Sequence, residues 1–547
     1  MPLSTTARPT PTPWSYFLIR LLFKFVLKVF YGTIVIEGQE LIPEDGQACI
    51  VCANHANSLT DALLLVTAIP SKKRGLLRLT AKATQFGKRT FTSWLIESAG
   101  TVPIQRPRDM PDGMVDNTAV MEKLREALEK GDAVCVFPEG ASRYHPTIAP
   151  LKTGVARLVS DVLTQKKDEP EFEVSIMTAS VTYMHRQHWR SDVLITFHPP
   201  LRFRPKDNPE LIAPVDYSCI RNVTAQMHQQ ITSGTLDSPS WELIRVAKLA
   251  ARIYVPLGTM MSLGDYVRVV RTFLEAFKLP LNPDKHGPRG RSDSMSGSGG
   301  SADEGSGDVV QEQDARLIAL CNDLKAYQER LSRWHIKDDR VRRPLRKREI
   351  IRRLFVRFCI ALSLFTISLP GLLLWLPVML TTFYAVHNFK KTGPIWDTWD
   401  EIAQYKLIYG LLSGLGVWLG ATLLTFPLAP ITFFAIPATM WLSLRWTEDA
   451  ISSVRAALAL ARMLRVGKPA LAEMRRTREE LHARVMDLAT VLGLPQDPER
   501  YFAVRGGTEG EKGRMRSKWD SRVRYFSVRR RRKRDWEEIL RLYDKQD

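Results

Sequence analysis

Two short stretches carry side chains that could do chemistry together. In Asn54-His55-Ala56-Asn57-Ser58-Leu59-Thr60-Asp61 an imidazole and a carboxylate follow an apolar run. In Phe137-Pro138-Glu139-Gly140-Ala141-Ser142 a second apolar run ends in a turn holding a carboxylate and a hydroxyl. A neutral imidazole, with an ordinary pKa near about 6.5, can take a proton from an alcohol at neutral pH. A carboxylate on its other nitrogen fixes the tautomer and stabilises the imidazolium as it forms. The same residues also fit a plain helix start. Ser58-Leu59-Thr60-Asp61 reads as a capping box, with Ser58 as N-cap and Asp61 returning to its amide. Glu139 is placed to accept hydrogen bonds from hydroxyls or to orient an arginine. Gly100 opens a turn before a short extended run that ends at Arg106, whose guanidinium suits two-pronged binding of a phosphate.

Short apolar runs that alternate with helical periodicity must position these groups. Strands are predicted at 33–37, 48–53, 133–137, 174–183 and 193–198. Helices are predicted at 58–67, 115–129 and 154–163, the second with Val120, Leu124 and Leu128 on one face and Gly131 as its stop. This alternation predicts an α/β fold: a layered domain over residues 33–235 with a mixed sheet and flanking helices. Accessory helices follow within 236–286. One spans 238–254, with Ser238 as N-cap and Pro239 at its first position; the other spans 266–277.

The remainder of the chain is differently made. Residues 1–32 hold a Pro/Thr-rich tail and an apolar helix in which Arg20, Lys24 and Lys28 share one stripe. Three charges break any secretory core, so an interfacial amphipathic helix fits, with packing on the globular domain as the alternative. Residues 287–314 form a Gly/Ser linker, expected to be disordered. A basic amphipathic helix over 315–353 places Leu317, Leu320, Leu324, Leu331 and Trp334 on one side. Residues 354–447 contain two uncharged blocks, 358–384 and 407–444, long enough for a C-terminal α-helical membrane-embedded region. Pro370 and Pro377 are expected to kink the first block or turn it back. The second is expected to form a span with a re-entrant piece, or a hairpin. Residues 448–547 hold helices, with Arg478 as the polar break in a 3-4 apolar seam, and a basic tail at 529–534 beside aromatics.

The formal charge of +20 in 547 residues favours an anionic partner. Basic runs beside apolar blocks favour anionic membrane lipid and speak against nucleic acid. The six cysteines read as reduced, buried small side chains. Cys49 and Cys52 lie three apart on a strand and so point to opposite faces, against metal or redox use.

The order His-x5-Asp, Gly-x3-Ile-x-Arg, Phe-Pro-Glu-Gly-x-Ser resembles the glycerolipid acyltransferase family over residues 33–205. Ala81-Lys82 and residues 151–156 also match. The later segments resemble, more loosely, the fungal-type glycerol-3-phosphate/dihydroxyacetone-phosphate acyltransferases. The resemblance implies a general base, His55, and its partner, Asp61. It implies that Arg106 binds the acceptor's phosphate, that Gly100 shapes its loop, and that Glu139, Gly140 and Ser142 complete the acceptor site. It further implies acyl-CoA as a substrate that donates directly, glycerol 3-phosphate or a related phosphorylated acceptor, and no cofactor or metal. The implied location is the endoplasmic reticulum membrane, with the catalytic domain facing the cytosol. Two departures stand out. The commonest spacing has four residues between His and Asp, and here there are five. A proline usual before the strand ending at Tyr183 is replaced by Thr178, to which no role is assigned. A lysophospholipid acceptor is the alternative within the family. A non-catalytic lipid-binding scaffold is the alternative outside it, opposed by the intact His55, Asp61, Arg106 and Glu139.

Overall fold

The run Ala-Cys-Ile-Val-Cys-Ala has no polar face, so as a strand it must be covered on both sides. In the computed structural model, which describes residues 10–105, 115–186, 189–256, 259, 261–279, 305–342, 346–391, 401–505 and 515, every residue of that run is buried. The sheet comprises β1 (Ile34–Glu37), β2 (Ala48–Ala53), β3 (Leu77–Lys82), β4 (Val102–Ile104), β5 (Ala133–Val136), β6 (Val174–Tyr183), β7 (Val193–Phe197) and β8 (Leu201–Phe203). Its order is β1-β7-β6-β2-β5-β3-β4, with β8 also on β6. β6, β2, β5, β3 and β4 are parallel neighbours, whereas β7 and β8 pair antiparallel with β6. All five parallel strands therefore end at one edge, the place where open α/β sheets build ligand sites.

Helices cover both faces. In chain order they begin with α1 (Trp14–Phe30), α2 (Leu59–Ala68), α3 (Phe91–Ser98), α4 (Thr118–Glu129), α5 (Gly154–Gln165) and α6 (Tyr217–Ser233). Cys49, Val51 and Ala53 pack in the layer with α1 and α2. Ala48, Ile50 and Cys52 pack in the opposite layer with α4, α5 and α6. The two cysteines thus lie on opposite sides of the sheet. Apolar pattern alone misses β3, β8, α3 and α6. β3 alternates Leu77 and Leu79 with Arg78 and Thr80 near the sheet's edge, so it lacks a continuous apolar run.

α1 packs on the globular domain, the alternative reading of its sequence. Tyr16, Ile19, Phe23, Leu27 and Phe30 are buried against the domain, while Trp14, Phe17, Leu18, Leu21 and Phe25 are exposed. The expected cationic stripe needs correction at Arg20. Its guanidinium turns inward and donates to the carbonyls of Ile69 and Arg74, at the end of α2 and just beyond it. Burial lowers its pKa.

The later chain is helical: α7 (Trp241–Tyr254), α8 (Leu263–Lys278), α9 (Gly305–Arg333), α10 (Asp338–Val341), α11 (Lys347–Lys391), α12 (Glu401–Leu424), α13 (Ala429–Val466), α14 (Lys468–Val491) and α15 (Pro498–Val504). Ser240, not Ser238, caps α7 by accepting from the Leu243 amide; Ser238 bonds within the preceding turn. Residues 305–314, expected as linker, begin α9, and 287–304 lie outside the described residues. On α9 Leu320, Leu324 and Leu331 are buried together with Tyr327, but Trp334 falls beyond the helix and is exposed. The polar break in α14 has a partner. Arg478 donates to Asp338 at 3.0 Å, and Arg342 and Tyr327 hold the same carboxylate.

α11 continues as one helix through Pro370 and Pro377, so the chain does not turn back there. It is held along its length by α13: Trp375 Nε1 donates to the Met440 carbonyl at 2.7 Å, and Gly371 lies against Ser443 where any side chain would clash. α12 and α13 form a hairpin across residues 425–428. α11 and α12 are long and apolar enough to cross a membrane, and Phe358, Leu362, Leu373, Leu419 and Leu423 are exposed on them. Arg190, between β6 and β7, ties this bundle to the sheet domain. It pairs with Glu448 of α13 and donates to the Lys28 and Tyr31 carbonyls. The basic tail at 529–534 lies outside the described residues.

Candidate active site

β2 delivers Asn54 and His55 to the carboxyl edge of the sheet. The Asn54 side chain prolongs the β2–β6 pairing by bonding both the amide and the carbonyl of Val181, at 2.7 and 3.0 Å. Next to it, His55 Nδ1 lies 2.9 Å from Asp61 Oδ2. The same oxygen accepts the amides of Ala56 at 2.9 Å and Asn57 at 2.7 Å. Oδ1 receives the Tyr183 hydroxyl. An ionised carboxylate only accepts, so His55 carries its proton on Nδ1 and leaves Nε2 with a free lone pair. Nε2 makes no hydrogen bond among the described residues, and the ring lines a cleft. Phe137 stacks on the imidazole with centroids 4.1 Å apart.

The capping box does not form. Ser58 makes no cap, and Asp61 takes the amides of Ala56 and Asn57 instead. Ser58 sits at φ +47° and ψ −134°, the first central position of a type II′ turn, closed by the Thr60 amide on the Asn57 carbonyl at 3.0 Å. That conformation costs a non-glycine residue about 1–3 kcal/mol.

β5, beside β2, delivers the 137–142 turn. Glu139 Oε1 accepts from the His55 amide at 2.6 Å, and Oε2 accepts from the Ala149 amide at 3.0 Å. Burial raises its pKa, against the pull of those two amides. Both oxygens are engaged with backbone, so Glu139 anchors His55. Gly140, at φ +77°, lies under the Lys152 side chain, where a Cβ would meet the ammonium at 2.6 Å. Ser142 is half-buried and its hydroxyl makes no hydrogen bond among the described residues. Gly100 adopts φ +69° ahead of β4, two strands away from β5. Arg106 lies outside the described residues. The fold thus brings His55, Asp61, Glu139, Gly140 and Ser142 together, with Gly100 farther along the same edge.

Residues 33–182 match the family model described as Acyltransferase, and residues 309–393 match that of the glycerol-3-phosphate acyltransferase 2 C-terminal domain. This chain carries an acyltransferase-family domain. An uncharacterized acyltransferase of Schizosaccharomyces pombe is 25% identical over 419 residues, 71% of this chain and 56% of the relative. Glycerol-3-phosphate O-acyltransferase 2 of Saccharomyces cerevisiae is 20% identical over 505 residues, 73% of this chain and 63% of the relative. Glycerol-3-phosphate O-acyltransferase 1 of the same yeast is 21% identical over 310 residues, 54% and 36% respectively. The chain therefore spans 36% to 63% of the length of these relatives. A solved 1-acyl-sn-glycerophosphate acyltransferase from Thermotoga maritima is 20% identical, with 40% of this chain and 77% of that one covered at a TM-score of 0.29.

The candidate site draws residues from beyond the matched segment. Tyr183 is the next residue after it. Burial, with the nearby charge of Asp61, raises the pKa of Tyr183 and of Tyr31, so both hydroxyls stay protonated donors. Asn57 Nδ2 donates to the Tyr31 hydroxyl at 3.2 Å. The cleft before His55 is lined by Arg143 and Arg186 and, from α7, by Trp241 and Lys248. Arg186 is held between the rings of Tyr144 and Trp241, at 5.3 and 5.2 Å, and donates to the Arg143 carbonyl. Sequence reading overlooked Tyr31, Asn57 and Tyr183. The one available signal was a phenol ending an otherwise small or apolar strand. Thr178 bonds Gln230 of α6 at 2.6 Å, away from the dyad.

Proposed function

We propose that this chain is a membrane-bound acyltransferase that moves a fatty acyl group from acyl-CoA to a hydroxyl of glycerol 3-phosphate. Dihydroxyacetone phosphate is a second acceptor. The product from glycerol 3-phosphate is lysophosphatidate, for phospholipid and triacylglycerol synthesis. The observation that carries this reading is His55, with Nδ1 on Asp61 and Nε2 open to a cleft walled by Arg143, Arg186 and Lys248. The acceptor oxygen attacks the thioester carbonyl as its proton passes to Nε2. A C–O bond forms and the C–S bond breaks. The imidazolium then returns the proton to the departing CoA thiolate. Asp61 stabilises the transient imidazolium. Neither an acyl-enzyme nor a metal or other cofactor enters this sequence.

The cleft's cations support a phosphorylated acceptor, as do the names of the yeast relatives. Arg106 and Gly100 keep the phosphate-binding role that the motif order suggests. Gly140 and Ser142 complete the acceptor site, and Glu139 serves it by fixing His55. The exposed apolar face of α1, with α11 and α12, would hold the domain on the endoplasmic reticulum membrane facing the cytosol, with basic segments against anionic lipid.

The test uses purified protein in lipid nanodiscs with labelled acyl-CoA. Glycerol 3-phosphate, dihydroxyacetone phosphate and lysophosphatidate are offered in competition. Glycerol 3-phosphate should be preferred. His55→Ala should abolish transfer while membrane association persists, and Arg106→Ala should mainly raise KM for the acceptor. Full activity of His55→Ala sinks the mechanism; preference for lysophosphatidate reassigns the acceptor.

A further inference from the structure

We infer that Gln404 of α12 is a positioning residue for the His55–Asp61 pair, so that the seating of an apolar, membrane-competent helix sets the geometry of proton abstraction. The inference rests on the general-base reading of that pair.

The loop between His55 and Asp61 divides its work. Ala56 and Asn57 give their amides to Asp61 Oδ2. Ser58 must then reverse the chain into α2, and does so at a positive φ that a serine does not hold unaided. Its hydroxyl is the natural cap for α2, yet it donates instead to Gln404 Oε1 at 3.0 Å. The two residues lie 346 positions apart. The contact therefore exists only when α12 is docked.

α12 is docked by more than this bond. Glu401, its first residue, pairs at 3.6 Å with Lys82 at the end of β3. Ile402, Ala403, Leu407 and Ile408 are buried, and Ala403 and Leu407 join the core shared by α1 and α2. Farther along, Leu412, Leu419, Leu423 and Leu424 are exposed. One helix thus grips the dyad loop with its first two turns and presents an apolar surface beyond them. If Gln404 is lost, Ser58 can relax to negative φ. The amides of Ala56 and Asn57 then leave Asp61, and His55 loses its fixed partner.

The experiment is steady-state kinetics of the full chain in nanodiscs, combined with a double-mutant cycle. Gln404→Leu should lower kcat about tenfold, the value of one hydrogen bond, with both KM values within about twofold. Gln404→Glu keeps an acceptor for the Ser58 hydroxyl and should recover most of the loss. In a Ser58→Gly background, where glycine adopts the turn unaided, Gln404→Leu should have no further effect. Equal losses in both backgrounds, an effect confined to KM, or wild-type kinetics for Gln404→Leu would each overturn the inference. If Gln404→Leu does not fold, Gln404→Met, which keeps the side chain's length without the Oε1 acceptor, replaces it in both backgrounds with the same expected outcomes. Activity surviving His55→Ala would instead fault the mechanism itself.

Discussion

Replacing Asp61 with asparagine isolates the charge of the dyad from its geometry. Three donors converge on Asp61 Oδ2: the Ala56 and Asn57 amides and His55 Nδ1. In Asp61→Asn the side-chain oxygen must keep that place, because an amide nitrogen there would face three donors. The nitrogen then points to Tyr183, whose oxygen can accept from it. The His55 tautomer and the fold both survive; what is lost is the carboxylate charge and the acceptor of the Tyr183 hydroxyl. With the charge centres about 4 Å apart and an effective dielectric near 20, the imidazolium loses about 4 kcal/mol of attraction. That corresponds to a fall of about 10³ in kcat. The assay is single-turnover acyl transfer in nanodiscs beside thermal unfolding. Both KM values should stay within about twofold of wild type. Asp61→Ala provides the contrast, since it strands two buried amides and a phenol at about 1–3 kcal/mol each and should visibly lower the melting temperature. A kcat within tenfold of wild type for Asp61→Asn, with unchanged melting, would show that the carboxylate charge is not used.

Three further outcomes follow from the same structure. Tyr183→Phe removes one charge-assisted hydrogen bond from Asp61 and should lower kcat roughly tenfold at constant KM, because Oδ2 keeps its partners; a pure KM effect would contradict this. Asp338→Ala leaves Arg342 and Arg478 buried without their counter-ion and should cost about 3–5 kcal/mol, read by denaturation of the detergent-solubilised chain. Burial, with Arg271 nearby, lowers the pKa of His198 from its ordinary 6.5 to about 4, so the folded state binds fewer protons than the unfolded one in that interval. Stability should therefore be complete above pH 6.5 and be lost as pH falls toward 4, by about 2 kcal/mol after allowance for its partial exposure. His198→Gln should flatten that part of the unfolding profile.

The layered α/β fold was legible because strands such as Ala48–Ala53 have no polar face and therefore admit one environment. Once the strands were placed, parallel neighbours had to put His55 and the 137–142 turn at one edge. What surrounds Asp61 was not legible, because a capping box and a His–Asp pair use the same letters. The choice is made by Tyr183, 122 residues away, and by a serine held at positive φ. No local rule marks either. The same holds for Pro370 and Pro377: as residues they forecast a kink or a reversal, and the helix, packed along α13, does not reverse. Glu139 was legible as a carboxylate at a turn, but its use of both oxygens on backbone depends on the 149 amide, placed by a later loop.

Residues 33–182 alone should not make a working unit, and burial gives the reason. Tyr16, Ile19, Phe23 and Leu27 of α1 are buried against the sheet domain, with Phe23 and Leu27 fully so. At about 1.5–3 kcal/mol each, removing these four forfeits roughly 6–12 kcal/mol. That approaches the whole stability of an ordinary domain, about 5–15 kcal/mol. Ala403 and Leu407 of α12 belong to the same core. A fragment of residues 33–235 also lacks Tyr31 behind Asn57, Lys248 in the cleft wall and Gln404 on Ser58. It should aggregate on expression and, if kept soluble by detergent, transfer no acyl group. Adding α1 alone should restore cohesion to the sheet without restoring kcat, because the Ser58 turn remains unheld. A soluble 33–235 fragment with wild-type turnover would mean that the helices outside it merely accompany the chemistry.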